Sequence, residues 1–176
     1  VGPRTVEHTL VTRHLRSHLP EHFGDFRSVA AIAPGVLGVT GMESMEVICG
    51  VCERVKPEFL LVVDALASRS AARLCSTVQL TDTGIAPGSG VGNSRAALNR
   101  ETMGIPVIAV GVPTVVEAAT LAADIVSASG GTAGEELFRE AGGGLIVTPK
   151  DIDRQIDEIS RLLGLGINMA LHDMPL

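Results

Sequence analysis

Tryptophan and tyrosine are absent from this 176-residue chain, and only four phenylalanines are present. Lysine is scarce as well, because Lys56 and Lys150 are the only lysines among the 14 basic residues. Proteins that bind single strands stack bases on aromatic rings in a basic groove, and duplex binding needs clustered Lys and Arg. The net charge is −6 and there is no basic run, so the chain is not expected to bind nucleic acid directly.

The sequence also lacks long apolar runs and an even number of cysteines. No run approaches the roughly 20 apolar residues of a membrane span, and no charged segment precedes an apolar core as in a secretory signal. We therefore expect no membrane partner. Three cysteines fit no complete disulfide framework, which favours a reduced, cytoplasmic setting. A hydrophobic content of 45% against 19% charged residues predicts a folded chain, with residues 1–176 forming one domain.

An initiator methionine is missing too. The chain opens with VGPRTVEHTLVTRHL, which has the pattern of a helix from its first residues. We expect a trimmed or processed, N-terminally incomplete domain that lacks the strand leading into this helix.

Short apolar runs alternate with segments of helical periodicity in the rest of the chain. Three runs are predicted strands, and they lie at residues 29–33, 59–63 and 105–112. The last two are apolar throughout, as is typical of strands covered on both faces. Strand–helix alternation of this kind predicts an α/β fold, a three-layer sandwich around a mostly parallel sheet.

Hydroxyl and acidic residues three positions apart predict where the helices start. These pairs are Thr40 with Glu43, Thr114 with Glu117, and Thr148 with Asp151. The first predicted helix stops at Pro57, and the second runs to about residue 127. The third is an amphipathic helix whose apolar stripe comprises Ile152, Ile156, Ile159 and Leu163.

Asp64 directly follows the apolar run 59–63. It would then stand at the C-terminal end of a strand, the sheet edge at which open α/β folds bind ligands. Partial desolvation there raises a carboxyl pKa and suits the group to proton transfer. Alternatively, Asp64 caps a short helix in the segment SRSAARL that follows. The sequence leaves both interpretations open.

The segment TDTGIAPGSGVGN, residues 81–93, resembles several catalytic motifs and satisfies none of them. Pepsin-like proteases need two Asp-Thr-Gly triplets in β-rich lobes, and a second triplet is missing. A serine nucleophile turn needs glycine two positions either side of Ser89, where Pro87 and Val91 stand. The glycines also lack the spacing of a dinucleotide-binding loop. Two interpretations of the segment are left, a glycine-rich surface turn and a binding loop. The length of the segment favours the binding loop.

Cysteine and histidine spacing gives no metal site. Cys49 and Cys52 fall within a predicted helix, where we expect them to be buried, and no second pair completes a zinc site. Four early histidines are predicted to lie on a solvated helix face, and these are His8, His14, His18 and His22. The position of His172, near the end of the chain, predicts no function for it.

Long ordered blocks of the chain resemble the germination protease family of spore-forming bacteria. They are TLVTRHL, AIAPGVLGVTGMES, KPEFLLVVDALASRS, DTGIAPGSGVGN, ETMGIPVIAVGVPTVVEA, LIVTPKDIDRQIDEI and GINMALH, and the match is weakest at residues 127–143. The resemblance implies an endopeptidase with a fold similar to the hydrogenase-maturation peptidases. It also implies a homotetramer, made as a zymogen, that degrades small acid-soluble spore proteins in the spore core during germination.

The same resemblance implies catalysis by two aspartates without a cofactor or metal. One aspartate carries over to Asp64. The other belongs to a motif like T-P-D-A-L-G-P, whose end matches Gly2 and Pro3, so it falls upstream of residue 1. The family has His where this chain has Ala86. Substrate binding is expected from the 81–93 loop, through Asp82, Gly88, Ser89, Gly90 and Asn93.

Two other functions compete with a protease. A catalytically inactive spore relative, acting in binding or assembly, would account for Ala86 and for the single aspartate. A nucleotide-binding module would use the glycines of residues 81–93.

Overall fold

The computed structural model describes residues 1–88, 95–132, 138, 140 and 144–172, and it is a mixed α/β fold. Its helices are α1 (Gly2–Glu7), α2 (Arg13–His18), α3 (Pro20–Phe23), α4 (Leu37–Thr40), α5 (Ser44–Val55), α6 (Arg100–Met103), α7 (Ala118–Ala128) and α8 (Ile152–His172). Its strands are β1 (Leu60–Ser68), β2 (Gln79–Thr81), β3 (Val107–Glu117) and β4 (Ile146–Val147), and a 3-10 turn covers Ala71–Arg73.

The four strands form one open sheet around β3. Strand β1 pairs with β3 in parallel from Leu60 opposite Val107 to Ser68 opposite Val116, with one irregularity after Leu66. The short strands β2 and β4 pair with β3 in antiparallel orientation. The longest pairing is thus parallel, as predicted, and the sheet as a whole is mostly parallel.

Strand β3 is the buried centre of this sheet. Val107, Val112 and Val116 are at most 1% exposed, and Thr114 is also buried. Strand β1 was predicted to be covered on both faces as well, but its residues are mainly half-buried. The reason is its position, because the only strand that pairs with β1 in the described part of the chain is β3.

The chain opens in a helix, as predicted, but α1 ends at Glu7 and α2 begins at Arg13. The Leu10 amide donates to the Asn168 side chain at 2.7 Å instead of continuing the first helix. Another element predicted near the start of the chain is wrong. Residues 29–33 are not a strand. They form an extended segment, mostly exposed, whose Val29 bonds to Thr12 and Arg13.

The predicted helix starts lie several residues too early. Helix α5 ends before Pro57 as expected, but it starts at Ser44, where the Glu43 amide donates to Glu46 Oε2 at 2.8 Å. The hydroxyl of Thr40 bonds instead to the Val36 carbonyl at 3.2 Å.

The other two helix starts were misplaced for a different reason. Thr114 lies inside β3, which extends to Glu117, and its carbonyl accepts a hydrogen bond from the Thr148 hydroxyl at 2.9 Å. Neither threonine therefore caps a helix. Helix α8 starts after Asp151, whose carboxylate accepts from the Gln155 side chain at 2.7 Å.

The amphipathic helix α8 is confirmed, and it packs against α1 and the segment after it. Three of its residues, spaced four apart, make this contact. The Ser160 hydroxyl donates to the Val1 carbonyl at 3.2 Å, and the Asn168 side chain donates to the His8 carbonyl at 3.0 Å. Between them, Gly164 is buried, and a Cβ built on it would lie 2.9 Å from the carbonyl carbon and oxygen of His8.

We expect Gly164→Ala to destabilise the fold by about 1–3 kcal/mol, because the added methyl group overpacks against a backbone that cannot move away easily. The measurement is the free energy of unfolding from urea denaturation. The matched control is Gly166→Ala on the same helix, where a Cβ meets nothing within 4 Å. That control should stabilise the fold by about 0.5–1 kcal/mol through helix propensity. Equal stabilisation by both variants would contradict the close helix contact.

Candidate active site around Asp64

Asp64 lies in the middle of β1, opposite Gly111 of β3, and not at the strand end that the sequence predicted. The strand continues to Ser68 because β3 is longer than expected and offers a pairing partner up to Val116. The alternative prediction, that Asp64 caps the following helix, is also wrong. Its carboxylate oxygen Oδ1 accepts a hydrogen bond from the Ala65 amide at 2.9 Å.

One side of the site around Asp64 is apolar and is formed by Leu66. A Cβ built on Gly111 would lie 2.8 Å from Cγ of Leu66, so the Leu66 side chain fills the space that a larger residue at position 111 would need. Residues two apart on a strand, and residues paired across two strands, point to the same face of a sheet. Leu66 therefore covers the face of the sheet on which the Asp64 carboxylate lies.

The first residues of the chain form a second side of the site around Asp64. A Cβ on Gly2 would lie 2.7 Å from the Val63 carbonyl oxygen, so only glycine allows this approach to β1. Val1 is near enough for its amino group and the Asp64 carboxylate to interact electrostatically. Burial lowers the pKa of that amino group, and Asp64 acts in the opposite direction.

Arg95 is the cationic side chain that the sequence reasoning missed. Its guanidinium lowers the pKa of Asp64 electrostatically and lies 4.0 Å from the Glu43 carboxylate. Both residues were visible in the sequence, Glu43 in a block of family resemblance and Arg95 two residues after the glycine-rich loop. Nothing in their spacing linked them to Asp64, because the fold alone brings the three segments together.

Partial burial raises the pKa of the Asp64 carboxyl above its ordinary value of 3.8. The Ala65 amide, the Val1 amino group and Arg95 all favour the carboxylate, but their combined effect is smaller than that of burial. A raised carboxyl pKa brings the group closer to neutral pH, where it can accept or donate a proton more readily. The surroundings of Asp64 therefore suit general acid–base chemistry.

The glycine-rich loop is described only as far as Gly88. Asp82 is exposed and directly follows β2, where Thr81 is opposite Ala109 of β3. Because β2 runs antiparallel to β3, the chain at Asp82 leads away from the level of Asp64 along the sheet. Ser89, Gly90 and Asn93 lie outside the described residues. Substrate binding by these loop residues stays a prediction.

The Asp-Thr-Gly triplet has a structural role in the turn after β2. The Thr83 amide donates to the Thr81 hydroxyl at 3.1 Å. Gly84 has φ +83°, and a Cβ there would lie 2.7 Å from Cα of Asn99. This close approach allows Ile85 to bridge to Leu98. The triplet is therefore part of a tight crossing of two backbone segments.

The histidines form no metal site in the described part of the chain. The four early histidines are exposed, as predicted, and His172 packs on Phe26 with ring centroids 5.2 Å apart. Within the described ranges, no group of three or more His, Cys, Asp or Glu residues could hold a metal ion.

Across the described residues, no helix has both the length and the apolar character needed to cross a membrane.

We expect Asp64→Asn to stabilise the fold at about pH 7. The parent carboxyl has a higher pKa in the folded than in the unfolded state, so its ionisation costs stability as pH rises through that folded value. Below about pH 3.9, the carboxyl is neutral in both states and the difference between parent and variant should vanish. Urea denaturation at about pH 7 and pH 3 measures this.

The control for this experiment is Asp25→Asn, because Asp25 is exposed. Its effect should be small at both pH values. A variant at Asp64 that is less stable than the parent at neutral pH would show that the carboxylate is held favourably and is not destabilised by burial.

The chain is similar to known proteins over nearly its whole length. The family model for germination proteases matches residues 1–130. A germination protease of Caldanaerobacter subterraneus subsp. tengcongensis is 44% identical over 198 residues, covering 98% of this chain and 61% of that protein. The germination protease of Halalkalibacterium halodurans is 41% identical over 229 residues, covering 98% of this chain and 62% of that protein. The chain thus spans about six-tenths of the length of these relatives. The chain belongs to the germination protease family.

Proposed function

We propose that this chain is the main part of an endopeptidase that starts the degradation of small acid-soluble spore proteins during germination. Family membership supports the activity, since relatives matched over nearly the whole chain are named germination protease. The single observation that carries the mechanism is the partly buried Asp64 carboxyl, whose raised pKa suits proton transfer.

Hydrolysis of a peptide bond needs a base to activate water and an acid to protonate the leaving amine. Two neighbouring carboxyl groups can divide these roles, because repulsion between like charges separates their pKa values. The ionised carboxylate takes a proton from water as the oxygen attacks the carbonyl carbon. The protonated partner then gives its proton to the amine nitrogen as the C–N bond breaks. Asp64 supplies one member of this pair.

The second carboxyl is an aspartate upstream of residue 1 in the longer protein. The position of Gly2 supports this, because a Cβ there would lie 2.7 Å from the Val63 carbonyl oxygen, so the start of α1 lies directly beside the strand that carries Asp64. The same upstream segment supplies a first strand for the sheet. The outer edge of β1 pairs with no other strand in the described ranges, which leaves room for one. A strand there would complete the sandwich expected from hydrogenase-maturation peptidases.

Arg95 adjusts the pKa of Asp64 in the proposed pair of carboxyl groups. Its positive charge favours the ionised form of Asp64, so it helps to keep that carboxylate available as the base. The loop that ends just before Arg95 holds the substrate chain through Asp82, Gly88, Ser89, Gly90 and Asn93. The closeness of Arg95 to Asp64 supports this role, because Arg95 is only two residues from Asn93 along the chain.

The active form is a homotetramer in the spore core that acts without a cofactor. Exposed apolar side chains support assembly, since Val39 is 84% and Leu80 is 70% exposed in the single chain. Side chains of this kind are commonly covered in subunit interfaces.

In the full-length protein, we expect Asp64→Asn to reduce kcat for cleavage of a small acid-soluble spore protein by at least about 1,000-fold, because the amide cannot exchange the proton. The exposed control Asp25→Asn should cleave normally. Normal cleavage by Asp64→Asn would exclude the proposed role. A parent protein that binds the substrate without cleaving it would instead favour the inactive relative, for which Ala86 is the supporting observation.

We also expect Arg95→Gln to move the acid limb of the kcat pH profile to higher pH. Loss of the guanidinium removes an interaction that lowers the pKa of Asp64, so ionisation of the base then requires a higher pH. The control is Arg100→Gln, at an exposed position at the start of α6. An unchanged acid limb in Arg95→Gln, or an equal shift in the control, would contradict the role of Arg95.

A further inference from the structure

Three sulfur atoms line one groove that the proposed protease mechanism does not use. Cys49 and Cys52 are three residues apart on α5, and Met103 ends α6. All three line a cavity of about 430 Å³ between these helices. The two cysteines were predicted to be buried, but they are half-exposed, so a small solute can reach them from solvent.

One pair of these sulfur atoms has the spacing of two ligands around one ion. Cys49 Sγ and Met103 Sδ are 3.9 Å apart. Sulfur ligands at about 2.3 Å from a metal ion, arranged in a triangle, would be about 4.0 Å from each other. Side chains three residues apart share one face of a helix, which brings the Cys52 thiol to the same side of α5 as Cys49.

We propose that Cys49, Cys52 and Met103 form a three-sulfur binding site for a soft monovalent cation, of which Cu(I) is the chemical type. Thiolate and thioether ligands select such an ion over harder cations. Zinc is a poor fit, because structural zinc sites need four ligands and make little use of thioethers. The third ligand here is a methionine, which is why the cysteine spacing alone predicted no metal site.

The charges in the groove fit the same ion. On binding, both thiols lose their protons to solvent and the cation stays in its +1 state, so the three-sulfur centre carries a net charge of about −1. The Lys56 side chain lines the groove and can offset this charge. Glu53 also lines it, but among the described residues it forms no metal-binding group of three with the two cysteines.

The test is a titration of the reduced chain with Cu(I) against a competing Cu(I) chelator, combined with X-ray absorption of the bound ion. We expect one Cu(I) per chain with three sulfur ligands at about 2.3 Å. Cys49→Ser and Cys52→Ser should each lower the affinity at least about 100-fold. Met103→Leu should lower it about tenfold and leave two sulfur ligands.

Cys75→Ser is the matched control, because Cys75 is outside the groove, with its amide bonded to the Pro113 carbonyl at 2.7 Å. It should leave Cu(I) affinity unchanged. Circular dichroism establishes that every variant is folded, and a variant that fails is replaced by Cys→Ala at the same position. Tighter binding of Zn(II) than of Cu(I), unchanged affinity in both groove cysteine variants, or loss of binding in Cys75→Ser would each overturn the proposal.

Discussion

Helix α8 holds the first residues of the chain against the sheet, and the candidate site depends on this contact. Asn168 accepts from the Leu10 amide and donates to the His8 carbonyl, and Ser160 donates to Val1. The two Asn168 bonds satisfy backbone groups of Leu10 and His8 that a continuous helix would have satisfied itself. Gly164 lets the two backbones approach closely. Val1 is thereby kept close to Asp64, so residues about 160 positions apart in sequence together build one side of the site.

The central strand β3 sets the environment of Asp64 in a second way. Its pairing with β1 continues beyond Gly111, so Asp64 lies within the sheet and its carboxyl is partly buried. A carboxylate held in that position reduces the stability of the fold at neutral pH. Costs of this kind are common at functional sites, where a group must be kept ready for chemistry and not placed where it is most stable. The electrostatic help from Arg95 reduces this cost without removing it.

Sequence patterns predicted the elements that depend on local chemistry and failed where distant groups compete. The amphipathic helix α8 and the end of α5 before Pro57 were predicted correctly. Both depend on local properties, since hydrophobic periodicity and the proline ring act within a few residues. Thr114 and Thr148 resembled helix caps, but they bond to each other across 34 positions. Residues 29–33 have the composition of a strand, yet no neighbouring strand pairs with them in the described ranges. A strand is stabilised by its partners, and composition carries no information about them.

The sequence by itself determined the mixed α/β class and the family, because apolar periodicity and long matching blocks are local properties of the chain. The catalytic role of Asp64 stays a prediction. Tertiary structure alone decided the position of Asp64 within β1, the presence of Arg95 and Val1 beside it, and the groove shared by Met103 and the two cysteines of α5. The physical reason is common to these cases. A side chain's burial, and the charges around its carboxyl or thiol, depend on segments that meet only when the chain folds.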